Sequence, residues 1–154
     1  MKNKKIQSVR AWGVGLLFLV LIMMASCQED AAPDDELRCQ VEAIDGSEDE
    51  VVGKWKLIKA EILFGNPRNE DYSCDNIIYH YRNDGILRIT NNTSDISHGS
   101  GEYPYEFIPA SLSENGYPIL KRANSIWPCH IEKNNMTIYL MALDGPILHF
   151  LRTE

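Results

Sequence analysis

The chain has 154 residues, 44% of them hydrophobic and 24% charged, the composition of a globular protein with room for one ordinary domain. Its net charge of −7 is unevenly spread. Residues 1–26 carry Lys2, Lys4, Lys5 and Arg10 and no acid, residues 28–50 carry ten acids against Arg38 alone, and residues 51–154 hold twelve acids and ten bases. A near-neutral folded part without a basic patch excludes nucleic acid as a partner, because phosphate binders cluster Lys and Arg.

The first ten residues, MKNKKIQSVR, are basic and polar, and residues 11–25, AWGVGLLFLVLIMMA, form an unbroken run of apolar residues and glycine. A bilayer-spanning helix needs about 20 such residues, whereas a basic start followed by an apolar core of about 7–15 residues is the shape of a secretory signal. Met24-Ala25-Ser26-Cys27 resembles the lipobox of bacterial lipoproteins, with Met24 where Leu is more usual. The resemblance implies a signal peptide over 1–26, cleavage before Cys27 and lipid attachment at Cys27. Each buried methylene contributes about 0.8 kcal/mol and two acyl chains already suffice for stable anchoring. The expected partner is therefore a membrane reached through lipidated Cys27, and the expected location is an outer-membrane lipid anchor. Residues 27–46 read as an acidic tether, self-repelling and solvated from Gln28 to Glu36. Acidic residues directly behind a lipidated cysteine resemble the surface-export signal of some Gram-negative lipoproteins. A plain spacer is the alternative, so the cell surface and the periplasmic face both stay open.

Residues 47–154 read as the folded domain. Ser47-Glu48-Asp49-Glu50 has the spacing of a capping box and predicts one short helical turn before the first strand. From Gly53 onward the helical period is absent. Runs rich in Ile, Tyr, Leu and Thr predict strands over 54–64, 76–82, 86–91, 102–108, 119–121, 125–132, 136–143 and 146–152. Gly65-Asn66-Pro67, Asn83-Asp84-Gly85, Asn134-Asn135 and Asp144-Gly145-Pro146 mark turns between them. Asp-Gly between two alternating runs is a strong local hairpin signal, and Pro104 inside a run marks an irregular or edge position. Short strands in this succession predict an all-β antiparallel meander, closed into a barrel or folded into a sandwich.

Gly53-Lys54-Trp55, the stretch from Tyr79 to the Asp84-Gly85 turn, and Asp144-Gly145-Pro146 leading to Phe150-Leu151-Arg152 together resemble the bacterial lipocalin-like domain family. The likeness runs from about Gly53 to Arg152. It implies a lipocalin-like β-barrel in which Trp55 faces inward at the closed end and Arg152 lies across its indole. Gly53, Trp55 and Arg152 would then form a structural plug, the cation–π contact being worth about 0.5–2 kcal/mol. The alternative is a plain core tryptophan with Arg152 in solvent.

Three cysteines remain after Cys27. Cys74–Cys129 is the expected disulfide, since each borders a predicted strand while Cys39 sits nearer the tether; Cys39 with either partner, or no bond, stays open. The four histidines fall in different segments with no metal-ligand spacing, so no metal and no cofactor are expected. Cys129-His130 resembles a nucleophile and base only in composition, because neighbours on a strand point to opposite faces. No catalytic residues are assigned and the chain reads as a non-enzyme. Two functions compete. In the first, Tyr79, Tyr81, Tyr103, Tyr105 and Phe107 line a barrel pocket for a small, partly apolar ligand; the bland alternative is that these rings fill a small barrel. In the second, the outer face serves protein interaction, assembly or inhibition, because both alternating sets of residues 136–143 are largely apolar.

Overall fold

The computed structural model describes residues 37–154 except 49, 95–97 and 141–143. Cys27, residues 1–26 that the sequence marks as an expected signal peptide, and the Gln28–Glu36 stretch thus lie outside the described residues, as do Met141 and Leu143. Among the described residues nine strands form: β1 Gly53–Ile62, β2 Arg68–Asp71, β3 Ile77–Tyr81, β4 Ile86–Asn91, β5 Gly101–Ile108, β6 Ile119–Arg122, β7 Ser125–Glu132, β8 Asn135–Tyr139 and β9 Ile147–Arg152. They pair in the order β2-β1-β3-β4-β5-β6-β7-β8-β9, and β1 also pairs with β9. Eight antiparallel strands therefore close into a barrel, with β2 added on β1. Closure leaves no long edge unpaired, which a curved open sheet of these apolar strands would have to protect by other means.

The barrel follows from alternation. Ile77, Tyr79 and Tyr81 of β3 are buried, as are Leu87 and Ile89 of β4, Met136 and Ile138 of β8, and Leu148 and Phe150 of β9. β1 departs from period two at one place. Leu57 pairs with Phe150 and Lys59 with His149, so Ile58 is an extra residue on its strand. This bulge moves the inward set from Trp55 and Leu57 to Ala60 and bends the strand. Here β1 changes partner: Gly53–Lys56 pair with β3, and Lys59–Ile62 pair with β2. The β3–β4 hairpin turns through Asn83-Asp84-Gly85, with Gly85 at φ 78 and the Ile86 amide donating to Asp84 Oδ1 at 3.2 Å.

One end of the barrel is plugged. Trp55 is fully buried and its indole N–H donates to the Val51 carbonyl at 2.7 Å. The Arg152 guanidinium carbon lies 4.3 Å from the centre of the Trp55 ring. Arg152 also donates to the carbonyls of Val52 at 3.3 Å, Ser47 at 3.2 Å and Glu50 at 2.6 Å. Where the capping box predicts a helical turn, the described residues hold an isolated turn at Glu48, and the Ser47 and Glu50 carbonyls face the arginine. Gly53 sits at φ 133, where a side chain would be strained, and a Cβ there would lie 2.4 Å from the Glu154 carbonyl oxygen. Glycine is required at that position for both reasons.

Leu37–Glu154 form one compact unit, so residues 37–46, expected in the tether, instead belong with the barrel. The Arg38 amide donates to Asp71 Oδ2 at 2.7 Å, the Cys39 amide to Ser73 Oγ at 3.0 Å, and the Ile44 amide to the Arg152 carbonyl at 2.9 Å. The disulfide expectation is corrected as well. Cys39 bonds Cys74, with Cα atoms 5.1 Å apart, and Cys129 is a free thiol. Cys74 sits exposed in the β2–β3 turn, whereas Cys129 points into the core and is 3% exposed. The two lie on opposite sides of the barrel wall, and a bond needs their Cα atoms within about 7 Å with converging Cβ vectors.

Candidate functional site: an interior cavity

Inside the barrel, away from the Trp55 plug, is a cavity of about 530 Å³. Its apolar wall comes from Ala60 and Ile62 of β1, Ile138 and Leu140 at the end of β8, and Pro146 and Leu148 at the start of β9. Each is placed by the alternation of its strand, and Ala60 reaches the interior only because of the bulge at Ile58. Tyr79 and Tyr81 face this wall from β3, with Trp127 from β7. Charged groups add to the lining: Arg68, Glu70, Arg122 and Asp144.

Most of this polar set is internally matched. Arg68 Nη2 lies 2.7 Å from Glu70 Oε1, and the Tyr72 hydroxyl donates to Glu70 Oε2 at 2.7 Å. The Tyr79 hydroxyl and His98 Nδ1 share a hydrogen bond of 3.0 Å, and the Tyr72 and His98 rings meet edge to face at 5.4 Å. Burial pushes the Tyr79 phenol up to about 12 and the Tyr81 phenol well above its ordinary value, with nearby Arg122 pulling both the other way. Both tyrosines are therefore neutral and able to donate at any physiological pH.

Of the five aromatic residues assigned to a pocket from sequence, the structure brings Tyr79 and Tyr81 into the cavity. It does not bring in the other three. Tyr103 lies beneath the Arg122 guanidinium, 3.7 Å from ring centre to carbon, and its hydroxyl donates to the Gly99 carbonyl at 3.2 Å. Tyr105 donates to the Arg82 carbonyl at 2.8 Å and packs edge to face on Tyr81 at 5.0 Å. With Phe107 it lines a shallower recess of about 360 Å³ beside Val51, Val52 and Gly85, at the plugged end. The cause is the length of the β6–β7 hairpin. β6 pairs with Tyr105–Ile108 only, so Gly101–Pro104 pair with β4 alone and the wall is notched beside Tyr103.

Arg122 and Trp127 flank that notch, and neither is singled out by sequence reasoning. Their signal was present: Leu120 is buried, so Arg122 two residues on shares its face. His98 lies in a polar loop with no periodicity to place it. The remaining histidines stand apart, His80 on β3, exposed His130 on β7, and His149 with Nε2 3.0 Å from Glu61 Oε1. Among the described residues, no group of three or more His, Cys, Asp or Glu is placed to hold a metal ion. Burial pushes the Cys129 thiol up to about 12, and its neighbour His130 points outward, so this pair is not arranged as nucleophile and base. No family model, curated protein or solved structure matches the chain.

Proposed function

We propose that this chain is a membrane-anchored, lipocalin-like lipoprotein that binds a small, partly apolar ligand inside its barrel and does no chemistry on it. The observation that carries this reading is the cavity of about 530 Å³, within the range of about 300–1,000 Å³ typical of small-molecule sites. Eight-stranded interiors can be filled by side chains alone; here, filling stops above Tyr81. The wall combines aliphatic side chains with a few convergent polar groups, the mixture that fixes a ligand's orientation while burial supplies affinity. The lipobox-like Met24-Ala25-Ser26-Cys27 supports an anchor at Cys27, and the acidic stretch behind it supports display away from the bilayer.

Titration of the chain with the neutral dye N-phenyl-1-naphthylamine, read by its fluorescence, tests the cavity. Saturable one-to-one binding is expected, weakened at least tenfold by Ala60→Phe, which places a ring in the space while leaving the plug intact. Ala60→Leu should weaken it less. Binding untouched by both substitutions would contradict the reading. Anchoring is tested separately by radiolabelled palmitate, which wild type should incorporate and Cys27→Ser should not.

A further inference from the structure

Arg122 differs from the other charged groups of the cavity. It stacks on Tyr103 at 3.7 Å and stands 5.9 Å from the Trp127 ring, and among the described residues it makes no hydrogen bond or ion pair. A guanidinium stacked by its face keeps its edge, with the N–H fork, open for an in-plane acceptor. Arg68 has Glu70, and Glu70 has Arg68 and Tyr72, so neither is open for a ligand; Asp144 is exposed at the rim. Tyr81 is the second open group. Its side chain is 2% exposed and lines the cavity, its ring is held by Tyr105, and its hydroxyl has no hydrogen-bond partner among the described residues. Arg122 is half-buried and Tyr81 buried, and hydrogen-bond donors shielded from water are strongest toward a charged acceptor. Two open donors lining one cavity describe a complement to an acid group.

Building on the ligand-binding reading above, we propose that the cavity takes an anionic amphipathic ligand, a carboxylate or sulfonate on an apolar body, whose acid group is held by the Arg122 guanidinium and the Tyr81 hydroxyl. The apolar body lies against Ile138 and Leu148. Arginine is suited to this task because its fork meets two oxygens of one acid group at once. A cationic ligand would meet an unpaired like charge there.

Two dyes separate this inference from the reading beneath it. 1-Anilinonaphthalene-8-sulfonate and N-phenyl-1-naphthylamine share their rings and differ by the sulfonate. In fluorescence titrations of the full chain, the sulfonate should bind about tenfold to a hundredfold more tightly than the neutral dye, the range for hydrogen bonds to a charged group. Arg122→Gln should erase that preference, bringing the two dyes to equal affinity. Tyr81→Phe should reduce the preference for the sulfonate by about fivefold. Decanoate should displace the bound sulfonate at about tenfold lower concentration than decanol. Equal affinity for the two dyes in wild type, which needs no variant to measure, would overturn the acid-group assignment and leave the cavity as a neutral site. An Arg122→Gln chain that kept the full preference would also overturn it. Failure of both dyes to bind would remove the ligand-binding reading itself.

Discussion

Two arginines stack on aromatic rings in this barrel, and their surroundings could hardly differ more. Arg152, at the plugged end, covers Trp55 and donates to the carbonyls of Val52, Ser47 and Glu50. Arg122, on the cavity wall, covers Tyr103 and donates to nothing among the described residues. The same side-chain pairing thus serves closure in one place and leaves donors open in the other. What decides is the backbone nearby. At the plug, Ser47, Glu50 and Val52 bring their carbonyls to the guanidinium; Gly46 comes so close that a Cβ would lie 2.5 Å from Arg152 Cζ. At the notch, the short β6–β7 hairpin brings the Trp127 ring to within 5.9 Å of Arg122 but, among the described residues, no hydrogen-bond acceptor.

The contrast predicts a hierarchy of stability effects. Trp55→Ala removes the largest fully buried side chain and should cost about 3–5 kcal/mol in urea unfolding, against about 1–2 kcal/mol for half-buried Trp127→Ala beside the cavity. Equal costs would erase the distinction between a packed and an open end. Next comes the Cys39–Cys74 bond, which spans a separation of 35 residues. Its removal by paired substitution to Ala should cost about 2–4 kcal/mol, whereas Cys129→Ala should leave disulfide formation intact under non-reducing peptide mapping. A Cys74–Cys129 peptide in that map would restore the pairing expected from sequence.

Smaller effects sharpen the comparison of the arginines. Arg152→Gln should destabilise by about 1–2 kcal/mol through the lost ring contact and the abandoned carbonyls, and Arg122→Gln by less than about 0.5 kcal/mol. The smallest effect is on pH dependence. Burial alone would raise the Asp71 carboxyl, but hydrogen bonds from Ser73 and the Arg38 amide and charge outweigh it and hold it at about 2 instead of the ordinary 3.8. A depressed carboxylate stabilises the fold above its unfolded value, and that contribution is lost as pH falls through the folded value. Thermal midpoints of wild type should therefore drop between about pH 4 and pH 2 more steeply than those of Asp71→Asn. Parallel profiles would show that the Arg38–Asp71 attachment contributes nothing.

The barrel was largely legible in the sequence because its strands obey one rule. Alternation in Ile77–Tyr81 and Ile147–Arg152, with the Asp84-Gly85 turn, specifies both strand and inward face. The exceptions have physical causes. β2 is Arg-Asn-Glu-Asp, a polar edge strand with no apolar side to betray it. Cys39 stood in acidic chain, so its approach to Cys74 depended on contacts of Arg38 and Ser73 that no local pattern encodes. The cavity is harder still, since it is the space left when eight strands close, and residue type alone does not distinguish a ring that fills a barrel from one that lines a void. Tyr81 and Tyr105 both alternate along antiparallel strands and pack on each other, yet Tyr81 lines the cavity and Tyr105 the recess at the plugged end. Arg122 was readable from Leu120 by period two, yet a charge before a turn ordinarily reads as solvated.

The most direct test of the account is to locate the bound dye. Nuclear Overhauser effects from the rings of N-phenyl-1-naphthylamine should reach the methyl groups of Ile138 and Leu148, which line the cavity. Contacts confined to the exposed Leu112 and Ile126, with Ile138 and Leu148 silent, would place the dye outside the barrel and contradict an interior ligand site.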